Sequence, residues 1–597
     1  MAALLLASAL ALPVAAQQPP QATPARKPAH WVVRSDENTR LLLDVDARFS
    51  PESAGQQGVE GVDENIIDLT PGFEERLRKA TEEAVGVLKS RLAAEKDPLV
   101  RQDLEILVQA AEDSIQGSLL EEKYQVPYFN LSRLIFYSTR ALLDDQIAEQ
   151  RRPAALVRLR KYTGMAPGHK PLTELATALM RERMKNPALL MPVKSEVERD
   201  LGNSGYLVEG VGQLFGRYQI AGYEAPFAKL KEQLAAYDEF LRKEVLPKAR
   251  TDFRLPPELY AFNLRQYGVD IPPGELVERA HQAFREIRLE MQKIAPEVAR
   301  LRGWNGATDY RDVIRKLKKD QLIGEAILPH YRERLGRIED IIRRQKLVTL
   351  PERAARIRLA SAAESAGLPA PNMRPPRLLG NTGEMGEFIL PLNIPAPPGS
   401  KEATQRMDDF THEAASWSLV AHEARPGHEM QFAAIVENGV SSARVIYAFN
   451  STNVEGWGLY SEAIIKPYMS LEGQLCSLQF RLQRAARAFL DPELQMGKVT
   501  PQQAHDVLTT EVVLSDAMAN QEVERYTFRA PGQATAYFYG YTRLVDLRHE
   551  LEGKLGAKFD QQKFHDFILA QGLLPPDLLR KAVLEEFVDK DAVKVGN

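Results

Sequence analysis

The chain of 597 residues contains a single cysteine, Cys476, so no disulfide bond can form within it. It has no excess of basic residues: the formal net charge is -4 at pH 7, which excludes the strongly positive surface typical of nucleic-acid binding. Its apolar runs are all shorter than the roughly 20 residues that a membrane-spanning helix needs. A protein of this size can fold without disulfides, because it buries a large share of its surface.

The N-terminus has the pattern of an export signal. Residues 1–16 form a short apolar run that ends in Val14-Ala15-Ala16, and small residues at this place are typical of a signal-peptide cleavage site. No Lys or Arg precedes the run. No cysteine lies near the cleavage point, which argues against a lipid-anchored form. We predict a periplasmic or secreted protein without a membrane span, with a flexible Pro- and Gln-rich lead-in over residues 17–35.

Helical patterns dominate the rest of the chain. Apolar residues recur at three- and four-residue spacing, as one face of an amphipathic helix requires. Six such segments are residues 73–95, 99–120, 132–149, 226–245, 273–294 and 325–345. No internal repeat is present, and the predicted class is mainly α.

A different pattern appears between residues 368 and 398, which are rich in proline and glycine. Within this region, residues 386–392 form an apolar stretch bounded by chain breakers, which predicts a strand in a small sheet. The neighbouring prolines predict an edge strand or an irregular strand. Such an edge can bind an extended peptide by main-chain hydrogen bonds, with Phe388 as the candidate contact residue. A surface loop is the alternative.

Four residues in the last third of the chain indicate metal chemistry: His422, Glu423, His428 and Glu455. Two imidazoles and a later carboxylate are the ligands of hydrolytic zinc sites, which leave the fourth position to water. We predict that His422, His428 and Glu455 bind Zn²⁺ and that Glu423 is the general base. Glu462, two turns beyond Glu455, is predicted to hold a histidine N–H, although the two glutamates could exchange roles.

The six-residue spacing of the two histidines is unusual for such a site. In a His-Glu-x-x-His motif the histidines stand one turn apart on the same helix face, whereas His422 and His428 would diverge on an unbroken helix. Pro426 cannot continue that helix, and Gly427 permits unusual backbone angles. The sequence therefore predicts a helix over residues 408–424 that kinks or bulges before His428. Solvated helix surface is the alternative. The upstream His-Glu pair at residues 412–413 is not followed by Pro-Gly-His, and we interpret it as structural.

At these residues the chain resembles the bacterial DUF885 family. The family signature is a His-Glu-Ala-x-Pro-Gly-His stretch followed by Glu-Gly-Trp-Ala-x-Tyr-x-Glu. The resemblance extends to four further segments, residues 47–54, 68–71, 524–526 and 531–543. Glu429 stands where a second histidine is frequent in the family, and Gly458 replaces the usual alanine. We expect neither residue to touch a proposed metal ligand.

That family looks like a distant relative of the helical zinc peptidases of the thimet oligopeptidase and angiotensin-converting enzyme type. The resemblance implies a large helical metallopeptidase-like fold. Residues 36–597 would then form a single catalytic domain in two lobes around a deep active-site channel, with a small β-sheet beside it. It also implies oxyanion donors in a late Gly- and Tyr-rich segment, where Tyr537 is our first choice and Tyr541 the second; core packing is the alternative. Arg543 or Arg548 would bind a substrate carboxylate, with surface ion pairing as the alternative.

These patterns together predict an exported zinc metallopeptidase that hydrolyses short peptides. Two alternatives stay open: a zinc hydrolase of a non-peptide amide or ester, and a catalytically silent peptide-binding protein that keeps the motif as packing. The sequence does not decide the cleavage position or the oligomeric state.

Overall fold

The computed structural model describes residues 29–394 and 405–588. The predicted signal peptide, residues 1–16, lies outside the described residues. The flexible lead-in predicted up to residue 35 is wrong from His30 onward, because the first helix begins there and buries Val32 and Leu42. In the part of the chain that the structure describes, we find no helix that combines the length and apolarity needed to cross a membrane.

Most of the described chain is helical, which confirms the predicted mainly α class. Helices α1 to α13 are His30–Phe49, Pro51–Gln57, Phe73–Ala94, Pro98–Tyr124, Leu131–Arg140, Ala154–Tyr162, Leu172–Arg183, Lys194–Arg217, Glu224–Phe240, Pro257–Gln266, Pro273–Leu301, Tyr310–Leu317 and Ile327–Gln345. Helices α14 to α23 are Ala362–Gly367, Glu413–Leu419, His428–Asn438, Ser451–Ile465, Leu471–Gln495, Pro501–Thr510, Asp516–Glu524, Thr535–Leu555, Gln561–Ala570 and Pro576–Ala582. Wider π-helical turns extend α15 over Val420–Ala424 and α20 over Arg525–Arg529.

Five of the six predicted helical segments fall on helices, and the sixth does not. The segment 132–149 is helical only as far as Arg140. Beyond it, the Asp144 carboxylate accepts a hydrogen bond from the backbone N–H of Gln146 and forms an ion pair with Arg374 at 3.0 Å. These contacts hold the chain in turns where apolar periodicity alone predicts a helix.

The described chain contains a small three-stranded sheet. Its strands are β1 (Arg356–Leu359), β2 (Asn372–Arg374) and β3 (Glu387–Leu390), in the order β1-β3-β2. The β3 strand runs parallel to β1 and antiparallel to β2. Two further strands, β4 (Asn393–Ile394) and β5 (Gln405–Arg406), form a separate antiparallel pair.

The predicted strand is therefore confirmed as β3, but its predicted place at an edge is wrong, and so is the loop alternative. The four residues of β3 contain no proline, so the strand can pair on both sides. The Phe388 side chain is 0% exposed and packs edge-on against Tyr331, with ring centroids 5.9 Å apart. The prediction that Phe388 contacts a substrate is wrong, because no peptide can reach it.

Two separate hydrophobic cores flank a long groove. The smaller core belongs to α5 to α9 and contains Phe136, Tyr162 and Phe215. The larger core joins α11, α13, α15, α17, α18 and α21. A groove of about 780 Å³ runs between them, with walls that include Phe129 on one side and Phe528 on the other. The assignment of residues 36–597 to one domain stays a prediction.

Helices α17 and α21 approach each other very closely at Gly456 and Gly540. A Cβ atom added to Gly456 would lie 2.6 Å from the carbonyl carbon of Gly540. One added to Gly540 would lie 2.0 Å from the carbonyl oxygen of Thr452. Both obstacles are backbone atoms, which cannot move aside as a side chain can. The crossing therefore fixes Glu455 on α17 and Tyr537 on α21 relative to each other.

We predict that Gly540→Ala destabilises the protein by about 1–3 kcal/mol or more, because the added methyl group forces the two helices apart. The midpoint of urea unfolding measures the effect. Gly553→Ala in the same helix is the control: its added Cβ has no atom within 4 Å, and it should be neutral or stabilising by about 0.5–1 kcal/mol. Equal midpoints for the two variants would show that the crossing is not tight.

Candidate metal centre

Three candidate ligands converge from three different elements. His422 comes from the π-helical turn Val420–Ala424, His428 is the first residue of α16, and Glu455 lies in the second turn of α17. One possible ligand atom from each lies within 4.8 Å of the other two. The Glu455 Oε2 atom is 3.4 Å from His422 Nε2 and 3.3 Å from His428 Nε2. We call these three residues the His-His-Glu cluster.

The chain between the two histidines is bent, as predicted. The α15 helix begins at Glu413, five residues later than predicted, widens into the π-helical turn and ends at Ala424. A new helix begins at His428. Only glycine fits at position 427, because an added Cβ atom would lie 1.8 Å from the carbonyl oxygen of His422. The break brings the imidazoles into edge-to-face contact, with ring centroids 4.6 Å apart.

The α17 helix begins earlier than the sequence analysis predicts. It starts at Ser451 instead of Glu455, because the Asn450 side chain caps it by accepting a hydrogen bond from the Asn453 N–H at 2.8 Å. An asparagine before a helix is a recognisable start signal, and the sequence analysis overlooked this one. Glu455 is thus held within the helix and not at its frayed first residue.

Glu462 lies on the same face of α17 and contacts the other nitrogen of His422. Its Oε1 atom is 2.8 Å from His422 Nδ1. A carboxylate in this position accepts the Nδ1–H hydrogen bond and leaves the Nε2 lone pair free to face the cluster. Glu455 faces Nε2 of both histidines, whereas Glu462 reaches only Nδ1 of one. The distances therefore favour Glu455 over Glu462 as the candidate ligand.

The geometry and chemistry of the cluster fit a zinc ion. A tetrahedral ion with bonds of about 2.0–2.1 Å has ligand-to-ligand edges of roughly 3.3–3.4 Å. The two distances from Glu455 Oε2 have this length. The same buried oxygen has no hydrogen-bond partner among the described residues, and an isolated buried acceptor calls for a cation. The histidines are only 2% and 6% exposed.

The charges in the cluster shift its pKa values in a consistent way. Burial raises the pKa of Glu455, but the two adjacent histidines outweigh this effect and hold the pKa well below its usual range. Burial lowers the pKa of His422, while Glu455 and Glu462 raise it to about 9. The pKa of Glu423 is raised, mainly by burial, against the opposing charges of both histidines. A carboxylate with a raised pKa accepts a proton readily.

The two candidate tyrosines have different surroundings. The Tyr537 ring stacks on His422 with centroids 6.3 Å apart, and the negative charge of Glu455 helps to raise the pKa of its hydroxyl, after the larger effect of burial. Tyr541 lies one turn further along α21, and its ring packs against Arg481 at 4.8 Å. In the described chain no hydrogen bond or ring contact joins Tyr541 to the cluster. The structure therefore brings only the first-choice tyrosine to the candidate site.

Arg543 and Arg548 already have partners of their own. Arg543 donates to Tyr539 Oη at 2.8 Å and forms ion pairs with Asp270 and Asp577. Arg548 donates to Glu552 at 2.7 Å and to Tyr460 at 3.1 Å. Arg543 therefore has acidic partners in this structure, and its role in binding substrate stays a prediction.

Two further outcomes concern residues close to the ligands. The expectation that Gly458 is clear of them is wrong: a Cβ atom added there would lie 2.6 Å from His422 Cε1. Glu429 pairs with Arg425 at 2.8 Å, away from the cluster.

Three arginines that surround Tyr537 were not predicted from the sequence: Arg484, Arg487 and Arg525. The regular spacing of Arg481, Arg484 and Arg487 was the available signal.

Fold and site together define a class, that of large, mainly helical proteins with a buried His-His-Glu cluster. The chain belongs to the family described as "Bacterial protein of unknown function (DUF885)", whose model matches residues 51–583. Among curated proteins, none matches the sequence.

Two solved structures share the fold, and both proteins are described as a "putative lipoprotein". The one from Colwellia psychrerythraea has a TM-score of 0.72 and 18% identity, covering 93% of this chain and 99% of its own. The one from Shewanella oneidensis, of unknown function, has a TM-score of 0.66 and 18% identity, covering 94% of this chain and 100% of its own. Identities this low establish a shared fold alone.

We predict that zinc affinity rises with pH between pH 6 and pH 8. In the metal-free protein the pKa of His422 is about 9, so the ion has to displace a proton over this whole range. One displaced proton changes the dissociation constant by about tenfold per pH unit. Competition with a chromophoric chelator, corrected for the protonation of the chelator, measures it. His428→Ala should abolish binding, whereas His549→Ala, at an exposed position of α21, should not. An affinity independent of pH would contradict the prediction.

Proposed function

We propose that this protein is an exported zinc-dependent metallopeptidase that hydrolyses short peptides. One observation carries the proposal. A buried candidate base, Glu423, and a buried hydrogen-bond donor, Tyr537, flank a set of three ligands suited to a single ion. The proposal agrees with the likeness to helical zinc peptidases that the motif spacing predicts, which is itself an expectation from the sequence. Export is supported by the apolar pattern of residues 1–16 and by the description of the two similar proteins as lipoproteins.

Each residue has a distinct role in the proposed reaction. A zinc ion held by His422, His428 and Glu455 would lower the pKa of a coordinated water and polarise the scissile carbonyl. Glu423 accepts a proton from the attacking water through its carboxylate and delivers it to the leaving amine. Glu462 keeps the His422 imidazole in the orientation that directs Nε2 into the cluster.

Tyr537 supplies the donor for the oxyanion that forms at the scissile carbonyl. The guanidinium of Arg525 donates to the phenolic oxygen of Tyr537 at 3.1 Å. Because that bond occupies an oxygen lone pair, the O–H is directed away from Arg525 and towards the cluster. The pKa of Tyr537 is raised, chiefly by burial, so the phenol keeps its proton at neutral pH. A fixed, protonated phenol is suited to stabilise a developing negative charge.

The groove between the two cores supports a short peptide as the substrate. Its volume of about 780 Å³ is that of a site for a small or medium-sized ligand. One of its walls includes residues 527–531. The π-helical turn Arg525–Arg529 therefore lines the groove with its later residues and contacts Tyr537 through Arg525.

We predict that Glu423→Gln lowers kcat/KM for chelator-sensitive peptide hydrolysis by about 10²–10⁴-fold, because the amide cannot accept the water proton. Bound zinc should stay near one equivalent, since Glu423 is not a proposed ligand. A mixed library of short peptides with product analysis measures turnover, and also separates peptides from other amides or esters.

The matched control for this experiment is Glu413→Gln. Glu413 follows a histidine on the same helix but is exposed to solvent, so its substitution should leave turnover unchanged. Peptidase activity that survives in Glu423→Gln would overturn the assignment of the base.

A further inference from the structure

Three arginines surround the Tyr537 ring. Arg484 and Arg487 lie almost one turn apart on α18, and Arg525 begins the π-helical turn after α20. Their guanidinium carbons lie 6.0, 4.4 and 5.9 Å from the centre of the ring. We call these three residues the arginine cluster. Because the same ring stacks on His422, the arginine cluster adjoins the candidate metal centre.

Two of these arginines are buried and incompletely bonded. Arg487 is 3% exposed; its Nε and Nη2 atoms each donate to Glu522 at 2.7 Å, but Nη1 has no partner among the described residues. Arg484 is 7% exposed, and its Nε atom is likewise without a partner. A charged N–H group that is buried without an acceptor is unfavourable, so these donors indicate a place for an acceptor from outside the chain.

The local charges favour an acceptor that is an anion. Burial raises the pKa of Glu522, but the charge of Arg487 outweighs this effect and lowers it to about 2, so Glu522 is ionised and balances one arginine. Arg484 lies 3.6 Å from Glu462, whose carboxylate also holds His422. Arg525 donates only to neutral groups, namely Gln533 at 3.2 Å and Tyr537 at 3.1 Å. The three cations thus exceed the carboxylates that contact them.

The distances around the Tyr537 ring limit how far a bound anion can lie from the scissile bond of a substrate. The imidazole of His422 and the guanidinium of Arg487 lie within 6.3 Å and 4.4 Å, respectively, of the centre of the Tyr537 ring. The separation between the imidazole and the guanidinium therefore corresponds to at most about three residues of extended chain, at roughly 3.3–3.6 Å per residue. A guanidinium fork matches the two oxygens of a carboxylate.

We propose that the arginine cluster binds the free C-terminal carboxylate of a short peptide, so that the protein acts as a carboxypeptidase that cleaves within a few residues of that end. The inference rests on the proposed function. It assigns to Arg484, Arg487 and Arg525 the role of selecting the substrate by its terminal charge.

The test compares three N-terminally blocked tetrapeptides with the full-length, zinc-loaded protein. The first is tetra-alanine with a free C terminus, the second is its C-terminal amide, and the third is the amide with an aspartate as its last residue. We expect kcat/KM for the free acid to exceed that for both amides by about tenfold or more, as the loss of a charge-assisted bond predicts. Cleavage of the aspartyl amide as fast as the acid would overturn the assignment to the C terminus and point to a side-chain carboxylate.

Two variants address the arginines themselves. Arg525→Gln removes a charge at a half-buried position, and Arg487→Lys keeps the charge but removes the fork. Both should reduce the ratio of acid to amide cleavage towards one. Arg481→Gln, at the neighbouring position of α18 that packs on Tyr541, is the control and should keep the ratio. A fall in activity on acid and amide alike, with the ratio intact, would show that the arginines are only structural and would overturn the proposal.

A binding measurement separates this proposal from the proposed function. In zinc-loaded Glu423→Gln protein, calorimetric titration should show that trialanine binds at least about tenfold more tightly than trialanine amide. Equal cleavage and equal binding of acid and amide overturn the carboxylate site and leave a metallopeptidase standing. No chelator-sensitive cleavage of any peptide overturns both.

Discussion

The close contact of Gly456 with Gly540 is the constraint on which the candidate site depends. It joins the helix that carries Glu455 and Glu462 to the helix that carries Tyr537, and it does so through backbone atoms alone. Side chains at this crossing would widen the gap and separate the phenol from the carboxylate. The residues of the site are largely buried, and in a medium of low dielectric constant their charges interact strongly.

Around this crossing, carboxylates and arginines both lie near the neutral Tyr537 ring, and they meet in the ion pair of Arg484 with Glu462 at 3.6 Å. Glu423, Glu455 and Glu462 are grouped with the histidines, whereas the arginine cluster lies against Tyr537. Each group still contains a buried polar atom without a hydrogen-bond partner in the described chain: Glu455 Oε2 in the first and Arg487 Nη1 in the second. A divalent metal ion and a substrate carboxylate are complementary to these two atoms. The two groups give a peptide a direction in the site, with its carbonyl at the metal and its terminal charge at the arginines.

Local features were predictable from the sequence, and long-range ones were not. Apolar periodicity located most helices, and Pro426 with Gly427 indicated the break between the histidines, because both effects act within one turn of chain. The central position of β3, the turn at Asp144 and the burial of Phe388 depend on partners far away in sequence. The arginine cluster was missed for the same reason: only the fold brings Arg525 to the face of α18 that holds Arg484 and Arg487.

The packing around His422 shows how an irregular spacing can still yield an ordered site. The Glu462 carboxylate fixes Nδ1, the Tyr537 ring stacks on the imidazole, and Gly458 leaves room for it where a methyl group would collide. These contacts come from two other helices, so the imidazole is held without help from the turn that carries it. The π-helical turn therefore only has to deliver His422 to this space, and the break after it has to return His428 to the same side. An imidazole fixed in advance loses little freedom when an ion binds, which is the advantage of building the site from three elements instead of one regular helix.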